Sequence, residues 1–157
     1  MQLYYGVPED IERWMGLVTQ VRWNFPGLET QQKLNEHRAT VLKFMRKQQA
    51  ICVKEGNEMA GVLLFSRGRN MICCLAVAPP YRRHGVATML MDEALAHLDR
   101  TKEIFVSTFR ADDERGRAPR ALYEKYGFVA DELGEEFDYP NQKFVLPPIG
   151  FDGKASL

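Results

Sequence analysis

Arg82, Gly85 and Ala87 stand between an apolar run ending in Pro79-Pro80 and a helix-patterned run beginning at Val86, an arrangement suited to holding an anion. The first amides of a helix lack intrahelical acceptors and sit at the positive end of a macrodipole worth about half an elementary charge, so a phosphate there gains hydrogen bonds and field together. Gly85 lets a ligand approach the backbone, Ala87 adds little bulk, and Arg82 and Arg83 offer charge-assisted hydrogen bonds. The chemistry on offer is capture of a phosphate-bearing small molecule. The chain has neither the G-K-[ST] of a Walker loop nor the three glycines of a dinucleotide fingerprint at this turn.

Such a turn needs a strand before it and a helix behind it. Val86, Ala87, Leu90, Met91, Ala94, Leu95 and Leu98 recur at helical spacing, with Thr88, Asp92, Glu93, His97 and Asp99 on the opposite face. The preceding MICCLAVA, residues 71–78, is apolar throughout and predicts a central strand covered on both faces. EIFVSTF, residues 103–109, predicts the next strand, and strand, helix, strand in this order makes a right-handed parallel crossover. Upstream, Gln2 to Tyr5 reads as a strand. Helices follow from about Glu9 to Val21 and from about Glu29 to Arg46, separated by Trp23-Asn24-Phe25-Pro26-Gly27, before a hairpin of AICV (50–53) and MAGVLLFS (59–66). Downstream, Arg110 to Arg117 predicts a solvated loop, and Pro119 opens a short helix that ends at Gly127. Phe128 to Ala130 and Lys143 to Leu146 supply the last strands, joined by an acidic, turn-rich connection. Residues 1–148 read as one mixed α/β domain and 149–157 as a poorly ordered tail.

Lysine plus arginine equals aspartate plus glutamate at 21 each, so no overall field draws the chain to nucleic acid or to an anionic membrane. The three cysteines, Cys52, Cys73 and Cys74, are odd in number and two are adjacent, which predicts reduced thiols and a cytoplasmic protein. Adjacent strand residues point to opposite faces, so Cys73 and Cys74 make no metal pair and no metal is expected. No apolar run approaches the ~20 residues that span a bilayer, and no signal-like segment opens the chain.

Four features in one order resemble the GNAT superfamily of N-acetyltransferases: the apolar strand, Val77-Ala78-Pro79, Arg82-x-x-Gly85-x-Ala87, and LYEKYGF at residues 122–128. The likeness is good from Met59 to Leu146 and loose over the first 58 residues. It implies a mixed-sheet α/β fold of the GNAT acyl-CoA N-acyltransferase type, ordered strand, two helices, three strands, helix, strand, helix, two strands. It also implies that acetyl passes from acetyl-CoA, as co-substrate, directly to a primary amine of a small molecule in a ternary complex.

By the same resemblance the coenzyme's diphosphate lies against Arg82, Arg83, His84, Gly85, Val86, Ala87 and Thr88, and its pantetheine arm along the backbone from Leu75 to Val77. An N–H of Leu75 or Ala76, at the bend of that strand, is expected to face the thioester oxygen. Tyr123 takes the place of the family's general acid, and an unperturbed phenol, with a pKa of about 10, is protonated at neutral pH; Tyr126 is the alternative. Trp23, Asn24 and Phe25, with Phe137, Asp138 and Tyr139 late in the chain, are expected to wall the acceptor.

One position departs from the pattern: many relatives carry asparagine seven residues before the tyrosine, where this chain has Gly116. Arg117 and Arg120 either meet phosphates in its stead or form a solvated basic face. The base stays open among Glu29, Glu36, His37, Asp138 and a chain of water. Two other readings stand beside this one, a non-catalytic acyl-CoA-binding or sensor domain and transfer to a protein N-terminus or lysine. Dimers are common in the family, and no stripe here specifies an interface.

Overall fold

The computed structural model describes residues 1–150. Its elements are β1 (Gln2–Tyr5), α1 (Ile11–Val21), α2 (Gln31–Arg46), β2 (Ala50–Glu55), β3 (Glu58–Ser66), β4 (Met71–Val77), α3 (Val86–His97), β5 (Ile104–Thr108), α4 (Arg117–Lys125), β6 (Val129–Glu136) and β7 (Tyr139–Leu146). The strands form one sheet in the order β1-β2-β3-β4-β5-β7-β6, antiparallel except between β4 and β5. This is the mixed α/β architecture, element for element, that the sequence predicts.

Alternation along the strands divides the core. Phe65, Ile72, Leu90, Met91, Ile104 and Phe144 pack on the side that carries α3, while Trp14, Val18, Val41, Met45 and Val62 pack under α1 and α2. Helix starts are set locally. Thr30 caps α2 by accepting the Lys33 N–H at 3.1 Å, so the helix begins two residues later than expected. Residues Pro8–Asp10 form a 3₁₀ turn ahead of α1. There the buried Asp10 carboxylate accepts from the Val7 N–H at 3.0 Å and Lys54 at 2.8 Å, tying the helix start to β2.

Two details position the functional end of the sheet. Asn70 donates its side-chain amide to the carbonyls of Asp99 and Glu103 and accepts the Asp99 N–H, which fixes the start of β5 beside the start of β4. Gly61, on β3, lies under the first turn of α3: a β-carbon there would stand 2.4 Å from Val86 Cγ1 and 3.1 Å from Leu90 Cδ1. The bare backbone lets α3 sit down on the sheet.

Four expectations are corrected. MICCLAVA packs into both cores but is incompletely covered: Cys73 is exposed and Cys74, Leu75 and Val77 are half-buried, because β5 pairs only with Met71 and Ile72 and then leaves β4. The Arg110–Arg117 segment is ordered by its own arginines, since Arg110 donates to the carbonyls of Asn141 and Gly134 and Arg115 bridges to two other segments. The late connection is a hairpin: β6 runs to Glu136 and β7 starts at Tyr139, with Phe137 and Asp138 both at positive φ (53° and 60°) as a two-residue primed turn requires. All eight β6 residues are exposed, so no apolar alternation announces that strand. Of the expected tail, Ile149 is held by an N–H donated to the Arg100 carbonyl at 2.8 Å; residues 151–157 lie outside the described residues.

Candidate active site

Where β4 and β5 part, the sheet opens into a cleft of about 730 Å³, bounded by the α3 turn at one end and the β6–β7 hairpin at the other. The register of β3 against β4 steps from Leu64↔Cys74 to Phe65↔Ile72, leaving Cys73 as the extra residue of a bulge that bends β4. Past the bulge, Ala78 donates its N–H to the Ala60 carbonyl at 2.8 Å. Antiparallel ladders alternate, so Ala76, like Ala78, turns its main-chain groups to β3, and those of Leu75 and Val77 point into the gap. Of the two donors expected at the bend, Ala76 is thereby corrected: its N–H is committed to β3. Leu75 keeps a main-chain donor aimed at the cleft.

At the α3 end, Gly85 is the N-cap, with φ 81° and no capping side chain. The first helical bond runs from the Met89 N–H to the Gly85 carbonyl at 3.0 Å, so the amides of Val86, Ala87 and Thr88 remain without helical acceptors and line the cleft. Arg82 and Arg83 stand at its rim. Arg82 folds back with Nε donating to the Val77 carbonyl at 3.4 Å, and Arg83 adopts a left-handed φ of 66°. His84 is exposed and outside the lining. Nothing lies within 4 Å of a β-carbon built on Gly85, so a side chain there meets open space and pays only in backbone strain. Gly85→Ala is expected to destabilise the fold by about 1–2 kcal/mol, the cost of a left-handed non-glycine residue. Coenzyme A binding is expected to weaken by roughly tenfold, since the methyl occupies open space beside the turn that a ligand must enter; melting and titration calorimetry read the two effects separately.

Tyr123, on α4, is buried at 5 % exposure and lines the cleft. Its ring packs on Phe128 and Phe144 at centroid distances of 5.8 and 6.4 Å. Its hydroxyl has no protein hydrogen-bond partner among the described residues. Burial, with the neighbouring Cys74, raises its pKa well above the ordinary phenol value, so the proton is retained throughout the neutral range. Tyr126 is committed elsewhere: its hydroxyl donates to Asp92 at 2.7 Å, bracing α4 on α3, and it does not line this cleft. Burial also pushes the Cys74 thiol up to about 12, and partial desolvation raises that of Cys73, though its residue is exposed at the bulge, to about 11. Among the described residues no three His, Cys, Asp or Glu side chains converge as metal ligands.

The far end of the cleft is walled by Asn24, Phe25, Phe109, Phe137 and Tyr139. Trp23 does not join them: its ring is 67 % exposed under the Arg22 guanidinium, 4.4 Å away, and only its carbonyl turns inward, to accept from Arg115 at 3.2 Å. Arg115 also donates to the Tyr139 hydroxyl, which donates in turn to Asp113. That bond, with Arg115 beside it and against the cost of partial burial, holds the Asp113 carboxyl below its usual range. Three segments far apart in sequence are thus laced over the cleft mouth. The Phe137 ring lies on Gly27, where a β-carbon would come within 2.7 Å of it.

Glu29, Glu36, His37 and Asp138 do not line the cleft. Arg120 spends its guanidinium on the Phe109 carbonyl and Gln142, and Arg117 is exposed outside the lining. Gly116 has a packing reason, since a β-carbon there would meet Phe109 Cβ at 2.5 Å. Sequence reasoning missed Ser107, Thr108, Phe109, Arg115, Glu136 and Asn141, which the structure brings to the cleft. No local motif marks any of them, and only the hairpin's true length would have revealed the last two.

Solved structures share this fold. A GNAT-family acetyltransferase from Bacillus cereus ATCC 10987 superimposes with a TM-score of 0.71 at 20 % identity, over 94 % of this chain and 96 % of that one. An N-acetyltransferase from Staphylococcus aureus Mu50 gives 0.70 at 17 % identity, over 92 % and 100 %. The PaiA N-acetyltransferase of Thermoplasma acidophilum, solved in complex with coenzyme A, gives 0.67 at 13 % identity, over 90 % and 96 %. No curated protein matches the chain in sequence. Residues 27–144 match the Acetyltransferase (GNAT) domain family, and the chain belongs to it, a family of acetyl-CoA-dependent N-acetyltransferases. Among the described residues no helix is long and apolar enough to cross a membrane.

Proposed function

We propose that this chain transfers acetyl from acetyl-CoA directly to a primary amine of a small molecule, both substrates being bound together in the cleft. The observation that carries this reading is the gap itself: main-chain groups of Leu75 and Val77 outside the strand ladder along one wall, free helix amides at one end, and a protonated phenol inside. The amides of Val86, Ala87 and Thr88 receive the diphosphate, with Arg82 and Arg83 adding charge at the rim. Leu75 and Val77 hydrogen-bond the pantetheine arm as a missing strand would, and the Leu75 N–H polarises the thioester carbonyl. The amine attacks as free base, the carbon–sulfur bond breaks, Tyr123 donates its proton to the departing thiolate, and the proton shed by the new amide nitrogen restores the phenol. Much of the rate comes from holding amine and thioester in register.

The thiols support direct transfer. Cys73 and Cys74 line the cleft, and raised pKa values of about 11 and about 12 keep both as thiols at neutral pH, far weaker nucleophiles than thiolates. Incubation with acetyl-CoA alone is therefore expected to leave the intact protein mass unchanged, while a panel of small primary amines releases free coenzyme A thiol. A covalent acetyl adduct on the protein would replace direct transfer by a two-step route. Thiol release only with peptides would move the acceptor to protein amines, and coenzyme binding without any acceptor would leave a sensor domain.

A further inference from the structure

Four charged side chains line the cleft. Arg82 and Arg83 stand at the phosphate end, which leaves Arg115 and Glu136 for the acceptor. They are not equivalent. Arg115 is already spent, bonded to the Trp23 carbonyl and the Tyr139 hydroxyl, paired with Asp113 at 3.6 Å, and stacked on the rings of Phe109 and Tyr139. Glu136 makes no hydrogen bond or ion pair among the described residues. It ends β6, opposite Tyr139 across the primed turn, and that turn is held over the cleft by Phe137 on Gly27 and by the Arg115–Tyr139 bond. At the bulge of β4 the Cys73 thiol feels the Arg69 guanidinium and, more weakly, the Glu136 carboxylate; of these two charges only Glu136 lines the cleft.

We propose that Glu136 anchors the ammonium of the acceptor, and that the acceptor is a primary amine on an apolar or aromatic body with no carboxylate beside the amine. This rests on the acetyl-transfer reading above and adds its substrate class. With Arg115 paired to Asp113, the acceptor end of the lining carries one unpaired charged side chain, the Glu136 carboxylate, beside aromatic rings. A cation gains Coulomb energy there and faces the rings of Phe25, Phe137 and Tyr139. A carboxylate on the same molecule finds no free cation in the acceptor end of the lining and is repelled by Glu136, so amino acids are disfavoured. An uncharged aryl or alkyl body buries against the aromatic residues.

The test is steady-state kinetics with acetyl-CoA and a matched pair of acceptors, 2-phenylethylamine and phenylalanine, which differ by one carboxylate. The wild type is expected to prefer the amine. Glu136→Gln is expected to raise KM for the amine by roughly fivefold, the scale of a partly exposed ion pair, with KM for acetyl-CoA unchanged. Glu136→Lys is expected to move the preference toward the amino acid, and Glu136→Asp to recover part of the loss. Glu136 is exposed at a hairpin end, so these variants keep the fold. An active wild type whose amine KM is untouched by Glu136→Gln, or one that prefers phenylalanine, overturns the anchor alone. A wild type that binds coenzyme A but acetylates neither compound nor any other small amine overturns the acetyl-transfer reading and the anchor with it.

Discussion

Tyr123→Phe is expected to lower turnover by roughly 10²–10⁴-fold, the range for loss of a positioned general acid, while coenzyme A affinity stays at its wild-type value. The variant keeps the ring, so the packing on Phe128 and Phe144 survives. The hydroxyl it removes bonds to no other protein group among the described residues, so the stability cost should not exceed ~1 kcal/mol. Because burial raises the phenol pKa, ionisation of Tyr123 does not limit the wild-type rate anywhere in the neutral range. Any fall in rate on the acid side belongs to protonation of the amine, whose reference pKa of about 10 leaves little free base at pH 7. Circular dichroism, calorimetry with coenzyme A and thiol-release kinetics together check the result. Unchanged turnover would pass the proton to water.

The second large effect is expected far from any reacting atom. Gly61→Val should cost about 1–3 kcal/mol, the usual penalty for overpacking a core, and should also weaken coenzyme A binding by more than tenfold. The argument is steric and local. Even the β-carbon would lie 2.4 Å from Val86 Cγ1, and Val86 is the first residue of α3, so relief comes by lifting the helix start from β3. Val86, Ala87 and Thr88 carry the free amides there, so a shift of a few tenths of an ångström misaims all three. Gly85→Ala strains the same turn without moving it. Larger loss of binding in Gly61→Val than in Gly85→Ala separates displacement of the cradle from obstruction of it, and equal losses would refute the helix-lifting account.

The turn ahead of α3 was legible because its signal is local: one glycine, small neighbours and a strongly periodic helix behind it. The order of elements was legible for the same reason. What escaped depends on contacts distant in sequence. Nothing in MICCLAVA reveals that β5 leaves it after two register positions, since an apolar strand beside a gap reads like an apolar strand in a core. The Cys73 bulge exists only relative to the register of β3. Trp23 looked like a wall because tryptophan usually buries, yet Arg22 stacks on it and only its carbonyl is used. The Phe137-Asp138 turn lacks the Asn-Gly or Asp-Gly pair that marks such hairpins, and Glu136 went unnoticed with it.

The short seam between β4 and β5 has a mechanical meaning. Among the described residues Met71 and Ile72 are the only register positions joining a leaf of four strands to a leaf of three, so the sheet resembles a book bound by two stitches at one end of its spine. On the proposed reading, the pantetheine arm supplies the stitches missing beyond Ile72. The donor is then a structural member of the enzyme for as long as it is bound, and each departure of free coenzyme loosens the binding between the leaves.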